Sequence, residues 1–170
     1  RNAGNAIFSE FNTYIYATKS TFENNKEISD NSLHTFGTIA LGAYSSLFLH
    51  HCNFLKNVAS YGGAIETLDH TVIECYFCIF KENIADYGPG AIQVGKYSSI
   101  RLKHSIFMQN KAVNDFEAFG GAIYIDSNSD TDIESCNFTA NAVSNGYNYY
   151  YDMAGQGGTI WINSYNNLKI

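Results

Sequence analysis

Glu74, Arg101 and Asp132 are the residues whose type and spacing most invite a chemical reading. Each stands nine residues after an isoleucine: Ile65, Ile92 and Ile123 respectively. Lys103 and Glu134 stand two residues further on in the same phase. Hydrolysis of a glycosidic bond needs a pair of carboxylates, and neighbouring repeats could bring one each. A base with acidic groups holding a cation would suit a polysaccharide lyase. The order of signs argues against both. Each carboxylate has a cation as its neighbour, which lowers its pKa and suits it poorly to giving up a proton in catalysis. The expected role is a solvated ladder of opposite charges that fixes register between repeats. No catalytic residue is assigned, and the chain is expected not to be an enzyme.

The other reactive side chains read in the same way. Cys52, Cys78 and Cys136 share one phase, thirteen residues after Ile39, Ile65 and Ile123, and Cys75 belongs to another inward set. Cys75 and Cys78 form a lone C-x-x-C, a weak zinc signal. Buried thiols acting as small hydrophobes are the favoured reading; a Cys52–Cys78 or Cys75–Cys78 disulfide is the alternative. His51 and His104 share a phase, but Phe77 stands between them. Asp126, Asp130 and Asp132 near Asn128 lack the EF-hand order and its closing Glu, so they read as a polar corner. No metal and no cofactor is expected. Asn137-Phe138-Thr139 is a sequon, which makes Asn137 a candidate glycan acceptor in a eukaryotic host. The stretch 144–156 holds Tyr147, Tyr149, Tyr150 and Tyr151, and 114–119 holds Phe116. Aromatic rings of this kind give large amphipathic contacts, so these five are the candidates for recognition.

Positioning all of these residues falls to a repeat. Gly-rich tetrads (GNAI, FGTI, GGAI, PGAI, GGAI, GGTI) end on Ile7, Ile39, Ile65, Ile92, Ile123 and Ile160. An F-x-x-N motif follows each of the first five, with Phe22, Phe54, Phe80, Phe107 and Phe138 leading to Asn25, Asn57, Asn83, Asn110 and Asn141. Every interval from Ile to Phe is 15 residues, whereas the return intervals are 17, 11, 12, 16 and 22. A wall of fixed length with one adjustable loop produces this asymmetry.

Inside the fixed interval, apolar pairs two residues apart recur three times, separated by turns rich in Gly, Asn, Asp and Ser. That is strand periodicity. Three short strands per unit, each unit adding one rung, predict an all-β, right-handed, single-stranded parallel β-helix of five full coils and part of a sixth. Residues 1–170 are expected to form one β-helix segment of a longer chain, because neither end reads as a cap and the sequence opens Arg1-Asn2-Ala3-Gly4. In this arrangement the five Phe and the Ile65, Ile92 and Ile123 anchors stack as a core. The five Asn form a ladder whose amides bond to backbone and to one another.

Composition bounds the partners. The net charge is −6 and charged residues make up 15%, so the chain lacks the basic surface that a nucleic acid attracts. No apolar run is long enough to be a transmembrane helix.

The tetrad G-G-A-I in fixed phase with F-x-x-N, with Cys or Ser two residues before the Phe, resembles the chlamydial polymorphic outer membrane protein repeat and related repeats in large surface proteins of some protists. Residues 62–83 and 120–141 match it most clearly, and 4–25, 36–57 and 89–110 more weakly. The resemblance implies a secreted right-handed β-helix at a cell surface, often serving in adhesion, with no catalytic residue. It departs at Asn5, Phe36 and Pro89, which replace tetrad glycines.

The function expected from all this is a non-enzymatic extracellular or cell-surface scaffold, adhesin-like, presenting variable loops. Its partners would be copies or further domains of the same chain at open helix ends, another surface protein, or a glycan. A filament or sheath protein stacking end to end is the first alternative. A carbohydrate-active β-helix enzyme is the second.

Overall fold

A computed structural model describes residues 6–26, 36–113, 119–144 and 158–170. All regular structure in them is β, arranged in four parallel sheets. Sheet A stacks β1 (Ile7–Ser9), β4 (Ile39–Leu41), β8 (Ile65–Thr67), β12 (Ile92–Val94), β16 (Ile123–Ile125) and β20 (Ile160–Ile162). Sheet B stacks β2 (Tyr14–Thr18), β5 (Ser46–His50), β9 (Val72–Tyr76), β13 (Ser99–Lys103), β17 (Asp130–Glu134) and β21 (Asn167–Lys169). Sheet C stacks β3 (Thr21–Glu23), β6 (Asn53–Leu55), β10 (Ile79–Lys81), β14 (Ile106–Met108) and β18 (Asn137–Thr139). The molecule is a right-handed parallel β-helix in which successive coils stack strand on strand in each sheet.

A fourth strand per coil joins the three expected from the apolar pairs. It is only two residues long and follows the F-x-x-N asparagine: β7 (Val58–Ala59), β11 (Ile84–Ala85), β15 (Lys111–Ala112) and β19 (Ala142–Val143) form sheet D. A two-residue strand is too short to show alternation, so periodicity does not reveal it.

Register is kept without slippage. Ile39 pairs with Ile7 and Ile65, and Phe80 pairs with Phe54 and Phe107. Parallel strands bring like residues into line, so each inward step becomes a column. Leu47, Ile73 and Ile100 form one column and Leu49, Cys75 and Leu102 another, all buried. The five Phe rings stack with centroids 4.8, 4.9, 4.6 and 4.8 Å apart and nearly parallel planes. Phe54, Phe80 and Phe107 are fully buried, whereas Phe22 and Phe138 are only partly so.

The corners follow a rule of their own. All of the described non-glycine residues with positive φ fall on three steps of the repeat. Asn12, Tyr44, His70, Tyr97, Asn128 and Tyr165 turn the chain from sheet A to B. Lys19, His51, Phe77, His104 and Ser135 turn it from B to C, and Asn24, Lys56, Glu82, Gln109 and Ala140 from C to D. Left-handed backbone costs a residue with a Cβ roughly 1–2 kcal/mol. The geometry persists because a corner N–H with a coil above it is used: Lys56 donates to the Lys81 carbonyl and His51 to the Tyr76 carbonyl of the next coil, each at 2.9 Å. Glycine is reserved for tighter contacts. A Cβ on Gly121 would lie 2.5 Å from both the Ala142 nitrogen and the Gly158 oxygen.

Candidate functional site

The outer face of sheet B gathers most of the side chains with chemical potential. Strand alternation turns steps seven, nine and eleven outward, while steps eight and ten fill the core. On the first coils this face is aromatic. Tyr14 and Tyr16 are 70% and 65% exposed, and Tyr14 stacks on Phe48 at 4.9 Å. The corners beside it carry further rings. Tyr44, His70 and Tyr97 stack at 4.7 and 5.1 Å on one flank, and His51, Phe77 and His104 at 5.0 and 4.9 Å on the other.

On the later coils the same face is ionic. Arg101 pairs in register with Glu74 below and Asp132 above. Its Nη1 donates to Glu74 Oε1 at 2.7 Å, and its Nε lies 3.6 Å from Asp132 Oδ2. Tyr76 donates its hydroxyl to Glu74 Oε2 at 3.0 Å. Tyr76 and then Glu74 push the Arg101 pKa up, holding the guanidinium charged. Lys103 Nζ donates to Glu134 Oε2 at 2.6 Å and holds that carboxyl below the usual range. Lys169 Nζ lies 3.7 Å from Asp132 Oδ1, an atom with no hydrogen bond. A pocket of about 280 Å³ opens between the two outward rows, edged by Ser99, Arg101, Asp130, Asp132, Asn167 and Lys169. Ion pairs this open to solvent add little to stability, so their main effect is on register and on what the face can bind.

The F-x-x-N asparagines lie inside the wall. Asn57, Asn83 and Asn110 are fully buried. Asn57 donates both its backbone N–H and its Nδ2 to Asn83 Oδ1, at 3.1 and 2.9 Å. The second Nδ2 hydrogen of Asn83 goes to the Phe54 carbonyl at 3.0 Å. The same bonds recur from Asn25 to Asn57, from Asn83 to Asn110 and from Asn110 to Asn141.

A second polar column escaped the reading of motifs. Ser45, Thr71, Ser98 and Ser129 stand six residues after their anchors and are buried. Thr71 N–H donates to Ser98 Oγ at 3.0 Å, Ser98 N–H to Ser129 Oγ at 3.1 Å, and Ser129 N–H to Asn166 Oδ1 at 2.6 Å. The signal was a hydroxyl or amide at one fixed step, hidden among ordinary turn residues.

All four cysteines are free thiols, so the structure contains neither candidate disulfide among Cys52, Cys75 and Cys78. Their hydrogens are taken up locally instead. Cys52 Sγ donates to the Ala17 carbonyl at 3.4 Å and Cys78 Sγ to the Tyr76 carbonyl at 3.4 Å. The hydrogen bond to Cys78, then burial, pushes the Cys75 thiol up, which keeps it protonated and unreactive.

Asn137 is exposed on the outside of sheet C and accepts from Thr139 Oγ1 at 2.8 Å. Asp126 accepts from the Ser127 N–H at 2.7 Å and from Asn163 Nδ2 at 3.0 Å, closing a polar corner. Among the described residues no cluster of three His, Cys, Asp or Glu is arranged to hold a metal. Tyr147, Tyr149, Tyr150, Tyr151 and Phe116 lie outside the described residues.

Glu66 is the titratable group that no motif flagged. It points away from the core on sheet A, yet it is only 6% exposed. Burial pushes its carboxyl up to about 8, against a weak opposing bond from the Gly37 N–H at 3.3 Å.

The fold and this face define a β-helical solenoid with ladder-patterned walls. Compared with known proteins, the chain matches no family model, no curated protein and no solved structure. The class therefore rests on the repeat and its topology.

Proposed function

We propose that the chain is part of a non-enzymatic scaffold displayed outside the cell, whose rigid walls hold loops of variable length. One observation carries this reading: the periodic cluster of acids and bases found among the described residues, Glu74–Arg101–Asp132 with Lys103–Glu134, is neutralised from within. Its three carboxylates are each held by a cation, and Asp130 beside them accepts from Asn167 Nδ2 at 2.8 Å, so the acids of this face are already engaged. Glu66 has the raised pKa of a general acid, but it is nearly sealed from solvent and so poorly placed to meet a polymeric substrate. The motif likeness to the polymorphic outer membrane protein repeat supports a surface setting and an adhesive role. The exposed sequon at Asn137 fits the same setting.

Labelling of intact, unpermeabilised cells that produce the full protein tests the reading. A membrane-impermeant amine reagent should modify Lys56 and Lys96, and peptide mapping should find a glycan on Asn137 in a glycosylating host. Protection of both lysines until the cells are opened would overturn it, as would turnover of a polysaccharide by the purified chain.

A further inference from the structure

The outer face of sheet B supports a more specific conclusion, which names the ligand of the scaffold just proposed and rests on that reading. We infer that this face binds a neutral polysaccharide laid along the helix axis.

Four observations converge on this ligand. First, the face is built on strands, so its side chains repeat at the inter-strand spacing of about 4.8 Å. A polymer of sugar rings presents a comparable repeat and meets an equivalent row of groups on each successive coil. Many weak contacts then add along one chain, as in other multivalent binding. Second, the early coils offer Tyr14 and Tyr16, exposed rings on a rigid scaffold, with the half-buried Phe48 stacked beneath Tyr14. Such rings give an apolar surface for the C–H faces of sugars, and the tyrosines add hydroxyls at their edges. Exposed aromatic patches of this kind mark binding sites more often than bare surface.

Third, the later coils replace rings with planar hydrogen-bonding groups around a pocket of about 280 Å³, at the small end of ligand sites. Arg101 supplies donors, and the Asp130 and Asp132 carboxylates at the pocket edge supply acceptors. Sugar hydroxyls can both donate and accept, so they match such a mixed lining. Fourth, the charge excludes other polymers. The outward rows carry four carboxylates (Glu74, Asp130, Asp132, Glu134) against three cations (Arg101, Lys103, Lys169). A face so nearly balanced, with its cations already paired, has no attraction for a nucleic acid or a polyuronate.

Affinity electrophoresis of the full chain through gels containing soluble β-glucan, glucomannan or xylan tests the inference, with polygalacturonate as the anionic control. At least one neutral polymer should retard the protein. Tyr16→Ala and Arg101→Gln should each weaken that retardation by about five-fold or more, the size expected of an interface anchor. Lys56→Gln, at the C-to-D corner away from this face, should leave it unchanged. Both sites are solvent-accessible, and the far-UV spectrum of each variant checks that the fold is kept. Four results would overturn the proposal: no retardation by any neutral polymer, retardation indifferent to Tyr16 and Arg101, preference for polygalacturonate, or a wild-type dimer in sedimentation that Tyr16→Ala dissolves. The last would assign the face to a second copy of the chain. None of these bears on where the protein resides, so loss of glycan binding and loss of the surface reading are separable.

Discussion

Glu66 sets the clearest test at the scale of one residue. Its carboxyl titrates near 8 in the folded chain, against a reference of 4.5. The folded state therefore binds the extra proton between those two values. Stability from this group is fully present below about pH 4.5 and is lost as pH rises through 8. Glu66→Gln removes the ionisation while keeping the shape. The variant should match the parent near pH 4.5 and exceed it by a few kcal/mol at pH 8 and above, on the order expected from a shift of this size. Urea denaturation of both proteins at the two pH values measures the difference; a difference that does not change with pH would rule out the buried ionisation. The sequence offered no sign of this site. Glu66 lies one step past its anchor Ile, on the face that alternation marks as outward. Its burial comes from covering residues that no period encodes. The asparagines were legible for the opposite reason. An amide at the same step of five units has one economical explanation, a shared column of hydrogen bonds. The step-six hydroxyls obey the same logic, but Ser and Thr are so common in turns that their period was masked.

Corners are where whole elements are decided. At the corners of the fixed wall, between strands of two to five residues, a single left-handed residue redirects the chain. Lys56 is a suitable probe, being at the C-to-D corner with no side-chain ion pair among those found. Lys56→Val should destabilise the chain by about 1–2 kcal/mol, because a β-branched residue tolerates positive φ poorly. Lys56→Gly should fall within about 1 kcal/mol of the parent, since relief of strain offsets the greater freedom of the unfolded chain. Thermal melts of the two variants give the comparison, and equal effects would mean that the corner is not left-handed in solution. Such corners evade sequence reading because Tyr, Lys, Glu, Gln and Phe occupy them alongside the Asn and His that favour positive φ. The two-residue strands of sheet D were missed for a related reason. The five-residue strands of sheet B, with their clean alternation, were the elements read most directly.

Across the whole molecule, stability is distributed along a column of near-identical layers, each meeting only its neighbours. Position in the column should then set the cost of a core defect. Phe80→Ala removes a fully buried ring from between two others and should cost roughly 3–5 kcal/mol. Phe22→Ala removes a partly exposed ring with one stacked neighbour among the five and should cost distinctly less. Denaturant titrations of the pair test this, and equal losses would contradict a layered column. The fold was legible at this scale because the 15-residue interval from Ile to Phe repeats five times. The binding face was only half legible. Its ion ladder and the Tyr16 and Phe48 rings follow from one phase, but the corner rings that flank them are placed only by the structure.

The direction of the inter-coil hydrogen bonds has a mechanical consequence. They run along the helix axis, from each coil to the next, in all four sheets. A pull that draws the chain off one end therefore loads a single layer at a time, and the bonds of that layer open in succession like a zip. Tension on such a scaffold would be released in discrete steps, one coil per step. The tether would lengthen under load while the remaining coils kept their register.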